Sequence, residues 1–591
     1  MQRFSPIRAK VSLSAIAATA TALSALSGCS RVDEWWSAVH GTAHANTSGP
    51  DAFAENIDDD ASAGPATSAP RNHHGPDRHE RDSGTVDASA APDSGVVDAS
   101  GPYTGPTMTA TWVWVPIFER MDWNGPKVGY FRAGASLRLR SATSLGNGAG
   151  CPRGWYEVEG GGYVCLNRMT TLDARELEGR RPTQPDLAQA MPYPYMTTYR
   201  PAVMYRWLPS EADMREVEPE RFGVVRDAGA AVVAAPTAGA LLTTGVPDGG
   251  AAVQVGTASA PTQPNGTAVV ATRAQAEDAG VRIEDLQGES GTPLLRRMLS
   301  GMYISIDREM ASAGRRFLRT QNGGYIERGA ASAVRNAPTF QGVTLDEQHP
   351  LPMAFMVAFE GYTYDLSPDG QRPVRRERVP RLTTYHLTSD PPVSIGRENY
   401  LKTREGFYVR ERNVRVVRTS AAPADVGATE KWIEVNLDRQ MLIAYEGSRP
   451  VYVTLVSTGR RNRDDEQRNY ETVQGAFRIY AKHLTTTMDG NSAGDGPYSI
   501  EDVPWVMYFE GSFALHGAFW HNLFGYMRSH GCVNMAPADA RWVFQWSDPQ
   551  LPAGWHGVNA STVGRPGTRV YVHYERQALG ERGGPRVVPG H

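Results

Sequence analysis

Ser529-His530-Gly531-Cys532-Val533-Asn534, preceded by Phe513-Ala514-Leu515-His516-Gly517, brings the one thiol and two imidazoles of these stretches within seventeen residues. A thiol near its ordinary pKa of ~8.5 is only a few per cent ionised at neutral pH, so nucleophilic use of Cys532 needs a base beside it. Imidazole, with a pKa of ~6.5, is the natural acceptor of that proton. Phe513-Ala514-Leu515-His516 reads as a strand, and Gly517 ends its regular pairing and lets backbone approach whatever His516 faces. His516 is therefore the expected base and Cys532 the expected nucleophile, with His530 as the competing base. Gly531 stands where a Cβ would obstruct an approaching carbonyl, and the amides around Gly531 and Cys532 are candidate oxyanion donors. Ser529 and His530 are expected to hold the loop, and His521 to face solvent.

The surrounding sequence is rich in strand signals. Ile433, Val435 and Leu437 alternate with Glu434 and Asn436, Asp438-Arg439 turns the chain, and Met441 to Tyr445 returns. Val451 to Val456 forms a further strand before Ser457-Thr458-Gly459, and Thr568 to Val572 closes the region. Pro537 to Trp546 has the marks of a helix: Pro near its start, Asp539 in the first turn, and Trp542, Val543 and Trp546 on one face.

His-Gly, a connecting loop and then Ser-His-Gly-Cys-hydrophobic-Asn resembles the signature of the L,D-transpeptidase (YkuD-type) catalytic domain of bacterial cell-wall enzymes. Thr472-Val473-Gln474-Gly475-Ala476-Phe477-Arg478-Ile479 is similar to that family's Thr-Pro-x-Gly-x-Phe-x-Ile segment, departing at Val473. Val503 to Ser512 also resembles the family's approach to the motif histidine, and places Trp505, Met507 and Tyr508 as candidates to line a substrate groove. Arg528 and Arg461 are candidates to meet substrate carboxylates. The resemblance covers Lys431 to Tyr574. It implies a Cys-His-carbonyl triad in which the carbonyl of Gly517 orients His516, with Gly517, Ser529, His530, Gly531 and Asn534 as loop-supporting or oxyanion residues, Asn534 as a brace of the loop, and His530 as a further contact for oxyanion or substrate. It further implies a Cys532 thioester with a peptidoglycan tetrapeptide stem, loss of D-alanine, and transfer of the acyl group to an amine on another stem or on a protein lysine. Water as acceptor would make an L,D-carboxypeptidase, and an idle catalytic domain would leave a peptidoglycan-binding tether. Such acyl transfer needs no cofactor, and no zinc-ligand spacing is present.

Composition bounds the rest. A chain of 591 residues with 60 Gly and 41 Pro exceeds one core. Sixty basic against 64 acidic residues, a net charge of −4, give no electrostatic footprint for nucleic acid. Arg3, Arg8 and Lys10 followed by an uncharged run from Val11 to Leu26 has the layout of a secretory signal. Leu26-Ser27-Gly28-Cys29 resembles a bacterial lipobox, which implies cleavage before Cys29, lipidation of Cys29 and attachment to the membrane through that lipid. An exported protein held in the envelope, at the outer membrane and facing the periplasm, is the expected setting. Of the four cysteines, Cys151 and Cys165 lie close together and are expected to pair in an oxidising compartment, with two unpaired buried thiols as the alternative. Cys532 is left over.

The expected fold is mainly β and multidomain: small Src-homology-like β-barrel modules followed by a β-rich catalytic domain with a short helix. The divisions are a lipoprotein signal peptide (1–28), a disordered tether (29–106) too poor in apolar residues to fold, a small β-barrel module (107–180) and part of a central β region (181–226). A low-complexity linker (227–279), with an insertion as the alternative reading, a central β region with two hairpin repeats (280–420), the catalytic domain (431–574) and a flexible tail (575–591) follow. His73, His74 and His79 in the tether lack a scaffold for metal. The modules rest on a hairpin repeat with a Gly-containing turn, at Trp155-Val158-Gly161-Tyr163-Val164, Phe317-Thr320-Gly323-Tyr325-Ile326 and Tyr400-Thr403-Gly406-Tyr408-Val409. The alternative is generic hairpins within one irregular β domain.

Overall fold

Three turns of the chain close in the same way. The computed structural model describes residues 105–148, 150–222, 272–278, 280–492, 496–560 and 566–575. The expected signal, Cys29, nearly all of the tether and the tail lie outside these residues. In each repeat hairpin the residue four before the turn's end donates to that end: Val158 N–H to Gly162 O (3.1 Å), Thr320 to Gly324 (2.8 Å) and Thr403 to Phe407 (2.8 Å). The repeat glycine then donates back, Gly161 to Val158, Gly323 to Thr320 and Gly406 to Thr403. All three glycines have φ near +90° (+89°, +88° and +94°), a region that a side chain disfavours. The turn conformation, and not a lack of space, therefore selects glycine at positions 323 and 406, where no atom lies within 4 Å of an added Cβ.

The pairing order around these hairpins also repeats. In the first unit Thr107–Ala110 lies between Ser136–Arg138 and Thr170–Thr171, and a second run orders Lys127–Phe131, Val115–Phe118, Tyr163–Cys165 and Trp155–Glu157. In the third unit Met353–Met356 lies between Thr384–His386 and Val414–Val416, and the run is Pro373–Val379, Gly361–Leu366, Tyr408–Arg410 and Glu398–Lys402. The second unit places Tyr195–Thr198 between Tyr303–Ser312 and Ala331–Ala333, with Leu294–Met298, Ala202–Tyr205, Tyr325–Glu327 and Arg315–Thr320 as its run. One strand order in three units is more than generic hairpins would supply. Cys151 and Cys165 form a disulfide beside Trp155 and Phe118 in the first unit.

The second unit chooses between an insertion and a linker for residues 227–279. Ala202–Tyr205 and Leu294–Met298 pair antiparallel, Met298 opposite Ala202 and Leu294 opposite Tyr205. Residues 227–279 therefore lie between two paired strands of one unit, as an insertion and not as a linker between domains. Turn-like composition alone does not distinguish the two, because a long insertion in a surface loop adds little closure entropy.

In the C-terminal region one sheet orders Val343–Thr344, Arg449–Leu455, Met441–Glu446, Lys431–Asn436, Arg569–His573 and Gly475–Arg478. The second layer contains a long hairpin, Ala481–Ser492 with Gly496–Glu510, followed by Phe513–Gly517 and Val533–Met535. Alternation along these strands sends Trp505, Met507, Phe509, Leu515, Val533 and Met535 into the shared core with Val543 and Phe544 of the helix Pro537–Trp546. That helix has no side-chain N-cap; its C-terminal end is satisfied by buried Lys482, whose Nζ donates to the carbonyls of Phe544 (2.6 Å) and Ser547 (2.7 Å).

The repeat units are built into this layer. Gly557–Asn559 pairs with the hairpin on one side and with Lys127–Phe131 of the first unit on the other, and Tyr303 of the second unit pairs with Ile500. The distal half of the hairpin buries Asp489, Glu501 and Asp502. Arg296 reaches Asp489 (3.3 Å) and Glu501 (3.1 Å), Ser305 donates to Glu501 and Asp502, and Arg132 of the first unit donates to Asp502. Three carboxyls thus meet two guanidinium groups. Burial, with Asp502 and Asp489 adding to it against the pull of Arg296, pushes the Glu501 carboxyl up to about 7. A carboxyl whose folded pKa is raised binds its proton more tightly in the fold, so its stabilising share is full below the unfolded value of 4.5 and is lost as pH rises towards about 7. Glu501→Gln is expected to melt like the unaltered chain at pH 4 and to gain on it between pH 5 and pH 7, by up to about 3 kcal/mol, then level off. Thermal melts across pH 4 to 8.5 check this; a difference independent of pH would contradict it.

Candidate active site

The site is made where Phe513–Gly517 and Val533–Met535 run parallel, with Leu515 opposite Val533, His516 opposite Asn534 and Gly517 opposite Met535. Leu515, Val533 and Met535 face the core, so His516, Asn534 and Cys532 share the other face. Cys532 packs there with Ala514, Tyr508, Tyr498 and Met488, and Trp520 lies against the same cluster. Trp520 also stacks on His516, with ring centroids 5.8 Å apart. The thiol is buried and donates to the carbonyl of Ser512 (3.6 Å).

The tautomer of His516 follows from its neighbours. Nδ1 lies 3.2 Å from the carbonyl oxygen of Gly517, which can only accept, so Nδ1 carries the proton and Nε2 the lone pair. His530 differs. Its Nε2 lies 2.8 Å from Nη2 of Arg460, and a guanidinium can only donate, so that lone pair is engaged. Tyr470 meets the ring edge-on (4.9 Å) and Tyr498 stacks on it (5.7 Å). Action as a base through Nε2 would require displacing Arg460.

The Cys loop is tied from within. Ser529 Oγ donates to the carbonyl of Cys532 and accepts from Gly531 N–H (3.2 Å). Thr472 Oγ1 donates to the carbonyl of Gly531 (2.6 Å) and accepts from Gly459 N–H (2.8 Å), joining three segments. The Gly531 amide is therefore already committed to Ser529 and is not an available oxyanion donor, a correction to the sequence expectation. Gly531 has φ +126°, and a Cβ there would stand 2.9 Å from Cε1 of Phe513, so glycine is required by conformation and by space.

The connecting loop is clamped from two sides. Phe519 packs on Tyr195 (4.4 Å) and Tyr303 (5.5 Å) of the second unit. From the third unit, Arg381 donates to the carbonyls of Phe524 (2.7 Å) and Asn522, Val357 accepts from Tyr526 (3.0 Å), and Phe359 stacks on Tyr526. His521 within this loop is not solvent-facing as expected: its Nε2 meets the side-chain amide of Asn534 (2.9 Å) and its Nδ1 accepts from Leu523 N–H (3.2 Å). Trp505 and Met507 are also corrected. Both are fully buried on the core face, Trp505 donating to the carbonyl of Ala190 (2.6 Å), so neither lines a groove beside Cys532. Of the three, Tyr508 alone lies on the Cys532 face. Arg461 pairs with Glu471 (3.4 Å) and lies over Tyr574.

Trp520 and Arg460 carry no signal in the spacing of the sequence; Thr472 opens the Thr-Val-Gln-Gly stretch, and His521 is visible as a loop histidine whose partner is not. Among the described residues no cluster of His, Cys, Asp and Glu is arranged to hold a metal ion.

Residues 430–572 match the family model of YkuD, the L,D-transpeptidase catalytic domain. An L,D-transpeptidase mutant from Enterococcus faecium, seen in a crystal structure, is 21% identical over 24% of this chain and 50% of its own, with a TM-score of 0.19. One from Xylanimonas cellulosilytica is 26% identical over 26% of this chain and 63% of its own, with a TM-score of 0.17. L,D-transpeptidase 3 from Mycobacterium tuberculosis is 15% identical over 28% and 73%, at 0.19. The chain spans about half the length of the first of these. No curated protein matches the chain.

Gly531→Ala is expected to destabilise the chain by about 1–3 kcal/mol, from the positive φ and the contact with Phe513. Denaturant unfolding checks this; stability equal to that of the unaltered chain would contradict the strain assigned to position 531.

Proposed function

We propose that the chain is a peptidoglycan L,D-transpeptidase in which Cys532 is the nucleophile and His516 the base. The observation that carries this reading is the one face shared by Cys532 and His516, with Nδ1 of His516 satisfied by Gly517 and Nε2 left as an acceptor. In the first half-reaction Nε2 takes the thiol proton and the thiolate attacks the carbonyl carbon between the L-centre of a diamino acid and the following D-alanine of a tetrapeptide stem. The tetrahedral adduct collapses, the C–N bond breaks, and the proton on Nε2 passes to the leaving amine. A thioester on Cys532 and free D-alanine result. In the second half-reaction an amine of another stem or of a protein lysine attacks the thioester, gives its proton to Nε2, and Cys532 leaves as thiolate to be reprotonated. Ser529 and Thr472 hold the loop carbonyls of Cys532 and Gly531 in place throughout. Preorganisation of this kind lets the reacting atoms meet without reorganising the loop.

Lipid at Cys29 would anchor the enzyme in the envelope, and the 29–106 segment would give it reach to the wall. Two of the three repeat units support the site directly, since they hold the loop between His516 and Cys532.

Mass spectrometry of the full chain after incubation with purified disaccharide-tetrapeptide tests the reading. The expected products are free D-alanine and a cross-linked dimer. A tripeptide alone would shift the acceptor to water, and no turnover would contradict the proposal. Cys532→Ala is expected to form no acyl adduct, and His516→Gln to acylate about a hundredfold or more slowly.

A further inference from the structure

Asn534 is 3% exposed, and its backbone exchanges two hydrogen bonds of 2.9 Å with Ser457. One end of its side-chain amide lies 2.9 Å from Nε2 of His521. The sense of that bond is set from the far side of the ring. Leu523 N–H points at Nδ1 (3.2 Å), and a backbone amide can only donate, so Nδ1 holds a lone pair. A neutral imidazole carries one N–H, which must then be on Nε2. Burial, with Arg528, His516 and Arg381 adding to it, pulls the His521 pKa down to about 3, so the ring stays neutral at any ordinary pH.

Nε2–H therefore donates, and the amide atom opposite it is the carbonyl oxygen of Asn534. Placing the amino group there would oppose two donors; the two ends of an asparagine amide have one shape, and the bonding around them decides which is which. The amino group then occupies the outer end of the amide. Among the described residues no protein group bonds that end, and it is not sealed within the protein. It lies on the face shared with Cys532 and His516, two residues along the strand from the sulfur.

We propose that Asn534, turned by His521, presents its amide N–H groups to the acyl oxygen of the substrate bound at Cys532, as an oxyanion donor. The proposal rests on the acyl-transfer reading above. It fills the place vacated by the Gly531 amide, which is spent on Ser529. Asn534 is then a catalytic residue that touches the reacting acyl group, and His521 a positioning residue that acts through it.

The test compares two reactions of Cys532 in the full chain: acylation by a tetrapeptide stem, which develops an oxyanion, and alkylation by iodoacetamide, which develops none at the attacked carbon. Asn534→Leu is expected to lower the acylation rate about a hundredfold while alkylation stays within about twofold. His521→Leu should do the same, and His521→Gln, whose amide N–H can still reach Asn534, should recover most of the loss. Nitrogen NMR of the imidazole should show His521 with the proton on Nε2. Acylation of Asn534→Leu at the unaltered rate, or a proton on Nδ1 of His521, would overturn the proposal alone. No acylation of the unaltered chain, with alkylation intact, would bring down the acyl-transfer reading and the proposal with it.

Discussion

The long hairpin of Ala481–Ser492 and Gly496–Glu510 belongs to two structures at once, and the site depends on both. At its base Trp505, Met507 and Phe509 fill the core of the C-terminal region while Val506 and Tyr508 pack in the same cluster as Cys532. Towards its tip Asp489, Glu501 and Asp502 are buried, and their partners come from the repeat units as Arg296, Ser305 and Arg132. Removing one partner from a buried ion pair costs about 3–5 kcal/mol, because the remaining charge is left without water or counter-ion. The hairpin thus carries buried carboxyls whose guanidinium partners come from the repeat units.

The connecting loop obeys the same logic by packing. His516 and Cys532 are close because two short strands pair, and the stretch between them is also held from outside residues 430–572: by Tyr195 and Tyr303 on one side, and by Val357 and Arg381 on the other. Trp520, stacked on His516, transmits the second unit's packing to the imidazole. The units thus act as walls of the site.

What the sequence made legible was chemistry carried by local order. Cys532 and His516 stand in two short motifs sixteen residues apart, and Phe513 to His516 reads as a strand that Gly517 ends. The three hairpins were readable because Gly161, Gly323 and Gly406 recur at fixed offsets, and the shared turn geometry explains that recurrence. Trp505 and Met507 misled because an aromatic and a methionine near a motif look alike whether they face core or cleft; Trp505 even has φ +58°, which no pattern announces. His521 was misplaced because its partner, Asn534, is thirteen residues away across the loop. For the 227–279 stretch insertion and linker stay open in the sequence, because composition does not say that Ala202–Tyr205 and Leu294–Met298 find each other across it.

Native-state hydrogen exchange of the full chain tests most directly whether the repeat units and the catalytic layer are one structure. The account predicts that amides of Ala481–Ser492 and of Tyr303–Ser312 open with the same free energy, and that Arg296→Met lowers both together along with Phe513–Gly517. Independent opening of Tyr303–Ser312, with the hairpin and Phe513–Gly517 still protected, would show that the catalytic layer stands without the units and would contradict it.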